Sequence, residues 1–450
     1  MRFVQKPKSI LACVGVGFSC AGTAAAADLT AGDTNAPAST EDQPWNWHAQ
    51  NTVIAQGYPA FSADYTGPNS LHPGGQTRET ISLDLLAGAR LWRGAEAHVD
   101  GLMWQGFGVS KTLGVEAFPN GEAFRLGTSI PNVNFSRVFI RQTIGLGGQQ
   151  EKVEDGPLQL AGNRDSSRVT LTLGKMSAKD IFDNNAYAND PRTQFMNWGF
   201  VANEAWDYPA DSIGYTTGFA AELNQPGWAI RYGFFQMPRT SNGVAQDMNY
   251  LKAWGMVLEF ERRYAWNSHP GTIRFLAFLN QANMGSYQAA LDNTTRPADI
   301  EATRSYRQKF GFGLNLEQEV ASSVGVFARL GWSNGKTEAW TFSDVDTTVT
   351  TGISIKGESW HRTEDTFGLA NALNGITKVH QEFLAAGGTG ILAGDGALNY
   401  SWEDAVEVYY DFKVWKTIHA ALDYQFVVNP AFNHDRGPVS FFGARVHWEF

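Results

Sequence analysis

The sequence has almost no cysteine: its 450 residues include only Cys13 and Cys20. Whatever stabilises the folded chain, it is not a disulfide framework. No stretch past the N-terminal leader approaches the roughly 18 to 20 uninterrupted apolar residues a spanning helix needs, which excludes a helical membrane protein. Basic charge is also scarce. The chain carries 35 Lys+Arg against 45 Asp+Glu, a formal charge of −10, and has no basic stripe, which argues against a nucleic-acid partner. G-x-S-x-G, H-E-x-x-H and P-loop motifs are all missing, and the nine histidines are scattered. The glycines of AAGGTGILAGDG (385–396) follow no strand-to-helix phosphate pattern. A calcium loop over Asp183 to Asn189 would lack the central glycine and closing glutamate of an EF-hand. The expectation is a non-enzyme with no metal and no cofactor.

Aromatic residues, by contrast, are abundant. The 29 Phe, 15 Trp and 14 Tyr supply more apolar surface than a disordered chain carries. Hydrophobic residues make up 43%, so the composition resembles that of a soluble protein. A transmembrane β-barrel has the same composition, because its strands alternate lipid-facing and lumen-facing residues. The N-terminus points to export. Arg2, Lys6 and Lys8 precede a short apolar stretch, Ile10 to Cys20, and the small residues Thr23 to Ala27 follow. A signal peptide over 1–27 is expected, then a short polar tail over 28–44 on the periplasmic side, then a barrel domain over 45–450. Both cysteines would leave with the leader.

Period-2 alternation carries the fold prediction. At the C-terminus Phe442, Ala444, Val446, Trp448 and Phe450 share one parity, while Gly443, Arg445, His447 and Glu449 share the other. The same alternation places strands at about 45–56, 79–92, 95–104, 133–145, 167–176, 212–223, 228–236, 249–262, 271–280, 308–319, 323–333, 345–357, 366–373, 405–414, 418–428 and 439–450. That is an all-β, 16-stranded antiparallel transmembrane barrel, even-numbered as bacterial barrels are. Short connections fall on one side and long ones on the other, with 146–166 as an unusually long periplasmic exception. A barrel this wide encloses water. The polar parity then nominates lumen charges: Arg90, Arg137, Arg141, Arg168, Arg231, Arg274, Arg329, Arg445, Asp84 and Glu222. For any one of them a structural ladder of opposite charges is a better account of the position than a transport role.

Segment 177–211 is predicted to fold into the mouth or bore. It carries Phe182, Tyr187, Phe195, Trp198, Phe200, Trp206 and Tyr208, more aromatic surface than an exposed loop would leave in water. Asp183, Asn184, Asn185, Asp190, Arg192, Gln194 and Asn203 are of the types that hydrogen-bond sugar hydroxyls. These aromatics would equally serve to pack the loop against the wall.

The stretches GARLWRGAE (88–96), AFPNGEAFRLG (117–127), FDNNAYANDPRTQFMNW (182–198), EAWDYPAD (204–211) and NPAFNHDRGPVSFFGARVHWEF (429–450) resemble the OprB family of carbohydrate-selective porins. The resemblance implies an outer-membrane channel passing monosaccharides such as glucose down their gradient. It implies sugar contacts near the constriction from Arg90, Arg192 and Trp198, with Trp206 nearby. The cell-wall-anchoring domain of some relatives is not expected, since only about 17 residues, Asp28 to Pro44, precede the first strand. Expected partners are small sugars, outer-membrane lipid and lipopolysaccharide, and the barrel-assembly machinery through the strand ending in Phe450; a monomer and a homo-oligomer both stay open. A general or ion-conducting porin is the alternative, and a barrel-borne hydrolase a more distant one.

Overall fold

The computed structural model describes residues 42–123 and 127–450; the predicted leader and most of the predicted tail lie outside the described residues. Its sixteen strands are β1 (Trp45–Tyr58), β2 (Gln76–Trp92), β3 (Ala95–Gly106), β4 (Thr128–Val153), β5 (Gly162–Met176), β6 (Thr216–Gln225), β7 (Trp228–Gln236) and β8 (Trp254–Trp266), followed by β9 (His269–Met284), β10 (Ser305–Ala321), β11 (Val324–Ser333), β12 (Thr347–Gly357), β13 (Arg362–Gly375), β14 (Glu403–Trp415), β15 (Ile418–Val428) and β16 (Val439–Glu449). Each pairs antiparallel with its sequence neighbours, and β1 pairs with β16 to close the barrel, with Ile54 opposite Arg445. Ala49 and Phe450 also exchange two backbone hydrogen bonds across that seam, at 2.9 and 2.8 Å. Closure leaves no open edge, as hydrocarbon requires of any backbone it surrounds.

Burial is inverted relative to a soluble protein. Arg445 and Arg329 are 1% and 0% exposed, whereas Leu422 and Phe442 are 63% and 56% exposed. The charged parity faces inward and the apolar parity faces out, as alternation predicts. Facing the other way, each arginine would cost about 2 to 4 kcal/mol near the bilayer midplane. Trp92, Trp266 and Trp415 are exposed beside the tight connections 93–94, 267–268 and 416–417, and Trp47 meets Phe450 at 5.0 Å. Together they form an aromatic girdle at the short-turn end.

All sixteen predicted strands are present; several boundaries move by four or five residues, and three differences have a local cause. The strand predicted at 212–223 begins at Thr216, because Asp211 accepts hydrogen bonds from the Ile213 and Tyr215 amides and holds 212–215 in a turn. The strand predicted from 249 begins at Trp254, because Lys252 and Ala253 donate back to the Asn249 carbonyl. The long connection predicted over 146–166 is mostly strand. β4 runs to Val153 and β5 starts at Gly162, with register shifts at Gly145/Gly147 and Gly147/Gln150. Gly147 and Gly148 both adopt φ +94°, where a side chain would be strained, and those glycines disguise the alternation. At the opposite end lie the long connections, including 107–127, 177–215, 334–346 and 376–402.

Candidate functional site

Loop 177–215 begins between β5 and β6 but bonds to lumen-facing side chains around much of the barrel. The fully buried Arg329 of β11 donates to the Asp183 carboxylate (3.1 Å) and to the carbonyls of Phe200 (2.7 Å), Ala188 (2.8 Å) and Asp183 (3.1 Å). Glu407 of β14 accepts from the Met196 and Asn197 amides at 2.6 and 2.9 Å. Arg445 of β16 donates to the carbonyls of Pro191 and Gln194, and pairs with Asp411 at 3.0 Å. Glu259 of β8 accepts from the Asp183 amide, and Lys309 of β10 pairs with Asp207 at 3.3 Å. Glycines on the lumen parity make room for this docking: a Cβ at Gly325 would collide with the Tyr187 ring, and one at Gly313 or Gly331 with the Asn203 side chain. Burial pushes the Asp183 carboxyl up, but Arg329 and Lys179 outweigh it and hold it below the usual carboxylate range.

Two surfaces meet where the loop faces β2, β3 and β4. One is charged. Arg192 pairs with Asp84 of β2 (2.8 Å) and with Glu122 of the 107–127 connection (3.0 Å). Arg137 of β4 holds Asp180 through two bonds of 2.8 Å, pairs with Asp100 of β3 at 2.7 Å, and lies 5.1 Å from the centre of the Tyr215 ring. Arg137, Asp180 and Arg192 keep 15%, 17% and 11% of their side-chain surface accessible, so the row is reached by water. The other surface is aromatic. Trp198 stacks on Phe118 (5.6 Å, 9°) and meets Phe342 at 5.2 Å; Phe342 stacks on Tyr208, which meets Trp206 at 5.3 Å. Asn197 sets the Trp198 backbone by capping its short helix, accepting from the Gly199 amide. Trp198 and Phe342 remain partly exposed.

The predicted site residues therefore separate. Arg192 and Trp198 stand at these surfaces, and Asp190 supports Arg192 by accepting from its amide at 2.9 Å. Arg90 does not join them. It sits near the turn end of β2, donating to the Gln43 and Ala161 carbonyls, six residues or about 20 Å along the strand from Asp84. Trp206 is buried against Phe182, and Asn185 is buried donating to Asn315 at 2.8 Å; both pack the loop. The remaining ladder charges face inward and are paired. Arg231 meets Glu222, Glu259 and Glu261; Arg274 meets Glu261 and Glu317; Arg141 meets Glu96. Phe118, Phe342, Glu122, Asp100 and Asp180 were not singled out by the sequence. Of these, Asp100 carried a usable signal, its place on the polar parity of β3.

A family model described as carbohydrate-selective porin, OprB family, matches residues 68–450. The chain belongs to the OprB family. No curated protein matches the sequence. Among solved structures, OprB of Pseudomonas putida at high pH is similar at 16% identity, covering 90% of this chain and 94% of that one, with a TM-score of 0.70. The outer membrane channel DcaP of Acinetobacter baumannii shares 9% identity over 90% of this chain and 97% of that one, with a TM-score of 0.46. The OprB-family chain is a sugar-selective outer-membrane channel, and its family and fold are those of porins rather than of enzymes.

Proposed function

We propose that loop 177–215 folds into the bore and that its meeting with the 107–127 and 334–346 connections is the constriction where monosaccharides are selected. The supporting observation is the spread of its anchors: one loop bonds to inward side chains from β2 and β4 through β8, β11, β14 and β16. Attachment at so many points around a closed barrel supports a course through its interior. A pyranose passing there would set its apolar face against Trp198 and Phe342 and its hydroxyls toward Arg192, Arg137, Asp180 and Glu122. Each of these charges already has a partner, so the wall is rich in donors and acceptors but carries little free field. That favours a neutral polyol over an ion, and so favours sugar selection over general ion conduction. Aromatic stacking of one ring is worth on the order of 1 kcal/mol, weak enough for release. Export through the leader 1–27, lipopolysaccharide contact and assembly through the strand ending in Phe450 belong to the same proposal.

Planar-bilayer recording with glucose titration tests it. Saturable block in the parent channel, weakened roughly 5- to 10-fold by Trp198→Ala and by Arg192→Ala with barrel assembly intact, is the expected result. Unchanged block in both variants would remove the assignment.

A further inference from the structure

Residues 154–161, which join β4 to β5 at the periplasmic end, are bound along the inner face of the barrel. Asn46 of β1 donates to the Asp155 carboxylate at 2.7 Å and to the Gly156 and Gln159 carbonyls at 3.0 Å each. Arg90 of β2 donates to the Ala161 carbonyl at 3.1 Å, the Leu160 amide donates to Glu96 of β3 at 3.2 Å, and Arg141 of β4 donates to the Leu158 carbonyl at 2.8 Å. Gln43 and Ala161 exchange two further bonds, at 3.0 and 2.8 Å. Apart from Gln43, which precedes β1, the anchoring side chains are on the lumen parity of four successive strands, β1 to β4. Held in this way, Leu158 packs on the apolar cluster that contains Ile181 of loop 177–215. Facing the turn is a cavity of about 950 Å³, lined on its other sides by Asp180 and Asn184 of that loop and by Glu222, Arg231, Glu261 and Arg274 of β6 to β9. Arg274 has one guanidinium nitrogen, Nη1, without a protein partner.

We propose that this turn is a second selectivity element on the exit side: it fills one flank of the periplasmic half of the bore, and a departing sugar must pass between the partly exposed Pro157–Leu158 edge and the Arg231/Glu222/Glu261/Arg274 row. The other connections at this end have only two to four residues and cannot turn inward. This one has eight, and five of its backbone groups bond to inward side chains of the wall. The apolar edge and the hydrogen-bonding row suit the two kinds of surface a pyranose presents. The exit is thus lined by the same pair of chemistries as the loop surfaces above it, from different parts of the sequence.

Because every cysteine lies in the predicted leader, one introduced thiol reports cleanly. Leu158→Cys is treated from the periplasmic side of a planar bilayer with a neutral, sugar-sized methanethiosulfonate. The expected results are a loss of about a third or more of unit conductance and slower modification in excess glucose. Glu154→Cys, at the exposed start of the turn, should react with no change in conductance. Asn46→Ala, which removes three anchors, should raise conductance while glucose block at the constriction persists. Full modification of the Leu158→Cys thiol by mass spectrometry with conductance unchanged would overturn the proposal. Loss of block in Trp198→Ala bears on loop 177–215 alone, so the two assignments fail separately.

Discussion

Arg329→Met is the sharpest test of whether loop 177–215 is held by the wall. The arginine is 0% exposed, so it touches no solute, and its replacement alters transport only through the loop. Methionine keeps the stem and deletes four hydrogen bonds, to the Asp183 carboxylate and to the carbonyls of Asp183, Ala188 and Phe200. Breaking a buried ion pair costs about 3 to 5 kcal/mol. Here the lower end applies, because Asp183 keeps Asn315 (2.7 Å), the Asn203 amide (2.9 Å) and Lys179 (3.6 Å). Each orphaned carbonyl adds about 1 to 3 kcal/mol, and the losses are not additive, so roughly 4 to 6 kcal/mol is removed from the docked loop. The strand ladder is untouched, so the barrel should still assemble and keep its heat-modifiable mobility on gels. Single-channel recording should show a noisier current, a mean conductance raised about twofold, and glucose block weakened about tenfold. Arg329→Lys, which restores the charge without the fork, should recover part of the block. A Met variant with wild-type conductance, noise and block would refute the reasoning.

Three further outcomes follow from the same structure. Leu422→Arg, at mid-strand on the lipid face, should cost about 2 to 4 kcal/mol and lower the folded yield in detergent or vesicles, whereas Asp423→Asn on the lumen face should assemble normally. Gly325→Leu should displace the Tyr187 ring and mimic Arg329→Met in channel noise, while Gly325→Ala should do so more weakly. Burial, and then the nearby Glu403 carboxylate, push the Glu204 carboxyl of loop 177–215 from 4.5 up to about 8. A raised folded value means the docked loop prefers the proton, so this stability is complete below about 4.5 and is lost as pH climbs to about 8. The thermal midpoint should therefore fall across that window, and Glu204→Gln should flatten the fall; an unaltered slope would count against the buried carboxyl as its source.

The strands and their inward charges were legible because alternation asks one local question, which of two solvents a side chain meets, and the answer repeats every second residue. Arg329 and Arg445 could be assigned to the lumen on parity alone. Height along the barrel axis is not local. Arg90 and Asp84 share one face of one strand, yet only Asp84 reaches Arg192; which of them does so is set by where the loop crosses, and no spacing in β2 encodes that. Nor does an aromatic residue in a loop declare its use. Trp198 and Trp206 lie eight positions apart in the same loop, and only packing leaves the first partly exposed and buries the second beneath Phe182. The signal left unused was glycine. Gly313, Gly325 and Gly331 sit within two adjacent strands on their lumen parity, where lost β propensity needs a reason. The reason is close approach: Asn203 and Tyr187 occupy the space that side chains there would fill. Small residues on the inward parity thus mark wall against which loop 177–215 packs, and that wall includes β10 and β11, where Asn315 and Arg329 bond Asp183.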